Sequence, residues 1–274
     1  MNLFKIAQEN AASLESQLKL IMDQSAPDTK LCLETFQNWF LDRAGISINM
    51  KAAVLSIFMV TGKHQNIHEW AVEQAELSGR TRQDILREKL GGYYDRRQAF
   101  DYAFDDGEGF RYGAFNAGGV GLSLFGDFCI VLSRTFMEAL DDAACLPDDS
   151  LECCFNKLRQ FDEDLVRRKA CPHTHRHYLA AIKHAAVVPQ TTKEQWGGVI
   201  LADGNYIEAI FMAKILPDHI AQVRVKQDKY DELFNMAFDA FGRKLHEAET
   251  AQVLHFVQIL KETRKRSISI EVLP

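Results

Sequence analysis

Residue types that could do chemistry gather at three places in this chain. The first is Glu208 in GNYIEAIF, a carboxylate set among Ile207, Ala209, Ile210 and Phe211. A carboxylate in apolar company can act as a general base or stabilise a developing positive charge. Strand alternation would put Tyr206, Glu208, Ile210 and Met212 on one face and Ile207, Ala209 and Phe211 on the other. Glu208 then lies either on the solvent face of a half-buried strand or in a cleft. The second place is RYGAFNAGGVGLSLFGDFCIVL, residues 111–132, where Gly113, Gly118, Gly119, Gly121 and Gly126 precede or enter an apolar run. Glycine admits positive φ and close backbone approach, which suits a loop that meets a ligand. The third is CPHTHRH, residues 171–177. On an extended segment His173, His175 and His177 share a side and could hold a metal; at a helix start they would not converge. His64 and His68 have helical i, i+4 spacing without the HExxH glutamate, and read as a surface or packed pair.

The elements that must position these groups fall into three stretches. Residues 1–90 read as a helical N-terminal region, with helices over 2–24 and 28–45 separated at Ser25-Ala26-Pro27-Asp28, a stop followed by a cap. The run Ala52 to Val60 suits a buried helix and also a strand. Ser78-Gly79 breaks the helical texture before TRQDILREKL, where Thr81 and Asp84 have cap spacing. Residues 91–226 read as an α+β core with strands over 111–116, 128–133, 198–202, 206–213 and 221–225, and a helical insert over 135–183. Asp203-Gly204-Asn205 is turn chemistry between two apolar runs, the mark of a hairpin. Residues 227–274 read as C-terminal helices packed on the core, with SISIEVL as a final strand. The fold class expected is α+β: a helical N-terminal part, a mixed, mainly antiparallel split β core, and C-terminal helices.

Composition narrows the function classes. The 274 residues carry a formal net charge of −6 and are 47% hydrophobic and 26% charged, which suits a globular chain and argues against non-specific nucleic-acid binding. Arg264-Lys265-Arg266 reads as a solvated helix end. No apolar run approaches the roughly 20 residues of a membrane span, and the amphipathic N-terminus lacks a signal peptide's apolar block. Six cysteines without CxxC or regular spacing point to reduced thiols and a cytoplasmic setting. Cys129 reads as a small core residue. The glycine segment continues into a strand, which argues against a Rossmann site, and neither GxxxxGK[ST] nor GxSxG occurs.

The order LGGYYD, YGAFN, FGDFCIVL and GNYIEAIF resembles a bacterial domain family of unknown function that carries FGGAY-, YGALN-, FGSCY- and YIEAQ-type motifs in the same sequence. The resemblance covers about residues 80–225. Asp127 stands where that family has the serine of FGSCY, and the residues after its glutamate are replaced here by Ile210, Met212 and Ala213. The strand–turn–strand–Glu arrangement is also similar to the core of ADP-ribosyltransferases. That likeness implies NAD as substrate, cleavage through an oxocarbenium-like state, and Glu208 as the catalytic residue. It further implies Arg111 on the pyrophosphate or adenosine side, and Tyr112 or Tyr206 stacked on nicotinamide. Gly113, Gly118 and Gly119 would admit backbone to the cofactor, with Asn116 in the same motif and Ser133 as the candidate hydroxyl.

The expected function is therefore transfer of ADP-ribose from NAD to a protein or small-molecule acceptor, in the cytoplasm or as a secreted effector in a host cytosol. A non-enzymatic helical interaction protein and a metal-dependent hydrolase built on His173, His175 and His177 stand as alternatives.

Overall fold

The computed structural model describes residues 1–202, 204–240 and 244–274. Its strands are β1 (Gly45–Met50), β2 (Arg111–Asn116), β3 (Phe128–Leu132), β4 (Ala143–Leu146), β5 (Cys171–Pro172), β6 (Leu201–Ala202), β7 (Asn205–Tyr206), β8 (Glu208–Phe211), β9 (Ile220–Lys226) and β10 (Ser269–Leu273). The chain divides into two compact units. One comprises residues 1–43, 65–115 and 140–213; the other comprises 44–64, 116–139 and 214–274. Helices at both ends and mixed, mainly antiparallel pairing make the class α+β, as expected.

In the first unit β2, β8, β4 and β5 pair antiparallel in that order. All four residues of β8 are buried, so this strand has no solvent face. One face carries Tyr112, Ala114, Glu208, Ile210, Ala144 and Leu146 by register. Ile210, Ala144 and Leu146 of that face pack with Leu3, Ile6 and Ala7 of the first helix, Phe100 of helix Tyr94–Asp101, and Leu151 and Cys153. The opposite face includes Phe115, whose ring lies 5.4 Å from Phe40 and 5.9 Å from His173. A sheet covered on both sides explains why apolar residues run continuously through IEAIF instead of alternating with polar ones.

Helix Ile67–Ser78 starts on a capping box, in which the Asn66 side chain accepts from the Glu69 amide and the Glu69 carboxylate accepts from the Asn66 amide. It stops at Gly79, whose φ of 67° closes the last turn without a Cβ penalty. This fixed start places His68 and Glu69 where each meets a charged partner.

In the second unit β1, β3 and β9 pair antiparallel, and β10 adds to β9 in parallel. The N-terminal stretch holds one strand that the sequence reading placed in helix. Residues 45–50 are a strand, although helix was expected to reach 45 and the region to be helical throughout; the alternation of Ile46, Ile48 and Met50 suits a strand better than a 3.6 repeat. Ala52–Thr61 is helix, capped by Gly62 at φ 71°. It buries Leu55, Ser56, Phe58 and Met59 and leaves Val54, Ile57 and Val60 exposed.

Further corrections concern the core. Trp196–Ile200 is helical, entered from a Thr192/Gln195 capping box, so only Leu201–Ala202 of the expected 198–202 strand is extended. The stretch expected as a helical insert, 135–183, contributes β4 and β5 to the sheet. The hairpin around Gly204 forms, with Leu201 opposite Tyr206 and Ala202 opposite Asn205; Asp203 lies outside the described residues. No helix among the described residues is long and apolar enough to cross a membrane.

Candidate active site

Glu208 is 4% exposed, and its Oε2 accepts a hydrogen bond from the Ser150 amide at 2.9 Å. Ser150 is held there because Asp149 caps the short helix that follows, accepting from Leu151 N. The Asp149 carboxylate also accepts from the Tyr206 hydroxyl at 3.0 Å. Lys183 Nζ ties this corner together, donating to the carbonyls of Pro147 and Tyr206 and pairing with Asp148.

Burial and the neighbouring Asp149 charge push the Glu208 carboxyl up to about 8, against the opposing pull of Arg97 and the Ser150 hydrogen bonds. A carboxyl balanced there holds its proton at neutral pH and releases it when a positive charge develops nearby. Tyr206 is raised by burial and by the Glu208 and Asp149 charges, so its phenol stays protonated and donates to Asp149.

The second wall comes from helix Tyr94–Asp101. Arg97 lies 4.0 Å over the Tyr112 ring, and its Nη1 reaches Asp101 Oδ1 at 3.5 Å. Burial works against the Arg97 charge, but Tyr112, Asp101, Glu208 and Asp149 outweigh it and hold the guanidinium above its ordinary value. The Tyr112 hydroxyl donates to Asp101 Oδ1 at 2.5 Å, and burial raises that phenol well above its usual range. His68 Nε2 lies 2.7 Å from Asp101 Oδ2, and Arg82 Nη2 lies 2.7 Å from His68 Nδ1. An arginine can only donate, so Nδ1 accepts and Nε2 carries the proton given to Asp101. His68 is thus a buried, charge-linked residue.

Of the residues the sequence singled out, the structure brings Glu208, Tyr112 and Tyr206 into one cluster. It separates Arg111 from them. Strand register puts Arg111 and Gly113 opposite Phe211 and Ala209, on the other face from Tyr112 and Glu208. The Arg111 guanidinium is held by both oxygens of Glu69, at 2.9 and 2.8 Å, and by the Gly109 carbonyl at 3.0 Å. It is an internal clamp between β2 and helix Ile67–Ser78. Tyr112 is also corrected in role, because one ring face is covered by Arg97 and its hydroxyl is engaged.

The glycines do a different job from the one expected. A Cβ on Gly121 (φ 74°) would sit 2.0 Å from Asn49 Oδ1, and one on Gly126 (φ 153°) would sit 2.1 Å from the Met50 carbonyl carbon. Both let the 117–127 segment press on the end of β1. Asn49 Nδ2 donates to the Val120 and Gly126 carbonyls, and its Oδ1 accepts from Leu122 N. Gly118 and Gly119 donate their amides to Asn116 Oδ1, which closes the turn on itself. Ser133 caps helix Arg134–Glu138, accepting from Phe136 N at 3.2 Å. These four residues are engaged in their own turn and cap.

The three histidines diverge, as they must at a helix start. His173 stacks on Phe115, His175 Nε2 meets Glu15 at 3.1 Å, and the His177 ring lies 4.1 Å from Tyr178. Among the described residues no group of three His, Cys, Asp or Glu could hold a metal ion. Cys129 is fully buried on β3, with burial raising its thiol, as suits a core residue.

Arg97, Asp101 and Asp149 were not singled out from the sequence, and His68 was noted only for its spacing from His64. The i, i+4 spacing of Arg97 and Asp101 was the one available signal, and it is common on exposed helices. Neither the protein-family models nor the curated proteins compared with this chain give a match.

Proposed function

We propose that the Glu208 cluster is the reaction centre of an ADP-ribosyltransferase-like enzyme that takes NAD and passes ADP-ribose to a protein or small-molecule acceptor. The observation that carries this reading is a carboxyl buried to 4% exposure and pushed up to about 8, beside Arg97, Tyr206 and Asp149. Cleavage of a nicotinamide–ribose bond builds positive charge on the sugar. The ionised form of Glu208, having lost its proton to solvent before the step, stabilises that charge and takes the proton of the incoming nucleophile. Asp149 and Tyr206 form the polar wall beside it, and Arg97 supplies a cation for the phosphate end of the substrate. Arg111 has no part in binding on this reading, and the glycine segment supports β1 instead of the cofactor.

The test is nicotinamide release from NAD by the purified chain and by Glu208→Gln. Loss of a positioned acid–base group costs on the order of 100-fold or more in rate. The non-enzymatic alternative keeps one observation in its favour, the exposed Val54, Ile57 and Val60 on a helix without a charged residue. It predicts neither turnover nor an NAD-induced rise in melting temperature, whereas a ligand present at 100 times its Kd adds about 2.7 kcal/mol.

A further inference from the structure

Within the second unit, helix Glu247–Lys265 packs against both helix Ala52–Thr61 and helix Gln227–Asp239, so the three form one layer with Glu247–Lys265 in the middle. Ser56 Oγ lies 2.7 Å from His255 Nδ1, and the Tyr230 ring lies 5.5 Å from Phe256. Leu55, Phe58, Leu233, Phe256 and Ile259 form the buried side of the layer. Its outer side is apolar as well. Val54, Ile57 and Val60, spaced three apart on one helix, are between 54 and 57% exposed. Leu254 and Val257 on the middle helix and Phe234 and Phe238 on the third are exposed too. At about 100 Å² of exposed surface each, these seven side chains leave on the order of 700 Å² of apolar area in water. A monomer rarely leaves so large a patch open, and a stable interface takes about 800 Å² from each partner.

The two edges of the layer differ in charge. Lys51 and Lys63 bracket helix Ala52–Thr61 with no acid between them, whereas helix Gln227–Asp239 carries Asp228, Asp231, Glu232 and Asp239 against one lysine, Lys229. We propose that a second copy of this chain docks on the layer, about a two-fold axis running along helix Glu247–Lys265. Rotation about that axis lays the lysine-bracketed helix of each copy over the acidic helix of the other. Val54, Ile57 and Val60 then meet the aromatic pair Phe234 and Phe238, while Leu254 and Val257 meet their own counterparts near the axis. One patch serves both copies, an apolar centre lies between charged rims, and opposite charges face each other at both edges. A partner of one sign would satisfy only one edge.

Sedimentation equilibrium of the full chain over about 1 to 100 μM tests the dimer. The parent should reach twice the chain mass in the upper part of that range. Ile57→Glu sets a carboxylate against the acidic helix of the other copy, and Leu254→Glu brings two carboxylates together near the axis. Each should weaken the dimer by about tenfold or more. Both side chains are exposed, so both variants should keep the parent's circular dichroism. A parent that stays at the single-chain mass throughout overturns the proposal and leaves the layer to a different protein. A dimer that both variants hold at the parent's Kd also overturns it, because the contact then lies elsewhere. The readout does not involve Glu208, so the dimer stands or falls apart from nicotinamide release.

Discussion

Replacing Glu208 by Gln should change how stability depends on pH, and the sign follows from the buried carboxyl. An unfolded chain releases this proton around 4.5, whereas the native state keeps it up to about 8. Between those values the native state binds more protons than the unfolded one, so stability falls as pH rises. The slope is about 1.4 kcal/mol per pH unit for one group. Gln cannot ionise, and its amide oxygen can still accept from Ser150 N. The stability of Glu208→Gln relative to the parent should therefore be about 3.5 kcal/mol greater at pH 8 than at pH 5. Urea denaturation of both proteins at pH 5, 6.5 and 8 measures it, with equal m-values as the check that the unfolded states are comparable. A difference that is flat with pH would refute the claim that Glu208 is protonated because it is buried.

Three other outcomes follow from the geometry. Gly126→Ala should destabilise by about 2 kcal/mol or more, because the new Cβ meets the Met50 backbone at a φ of 153°; Gly92→Ala, with open space at ordinary φ, should stay within about 1 kcal/mol of the parent in thermal melts. Asn49→Ala removes a donor–acceptor set that serves Val120, Gly126 and Leu122, and should cost about 2–4 kcal/mol in denaturant titration. His184 is held down to about 4 by burial and by Lys183, so the unfolded state binds its proton first and the stability it confers is lost as pH falls from 6.5 towards 4. His184→Phe should flatten that acid limb, seen as a smaller drop in Tm between pH 6.5 and 4.5.

The class of fold was readable because helices and strands were marked by punctuation. Thr81 does cap its helix, Gly79 does end one, and Gly204 does turn a hairpin. β1 was hidden because GISINM follows a helix with no breaker except Gly45, and a six-residue strand carries too little periodicity to declare itself. Glu208 was legible as a carboxylate in apolar company. Its partners were not. Asp101 and His68 lie 33 residues apart in sequence, and Asp149 and Tyr206 lie 57 apart; nothing local ties them. Arg111 misled because its charge and its glycine-rich neighbourhood resemble a ligand loop. The bidentate grip of Glu69, 42 residues away, decides its role instead.

Nicotinamide release from NAD is the decisive test of Glu208 as the acid–base group of the proposed NAD-consuming site. The purified chain incubated with NAD should release nicotinamide, and Glu208→Gln, still folded and still bound to NAD by thermal shift, should lose on the order of 100-fold or more of that rate. Equal rates in the two proteins, or no turnover and no NAD-induced stabilisation in the parent, would contradict it.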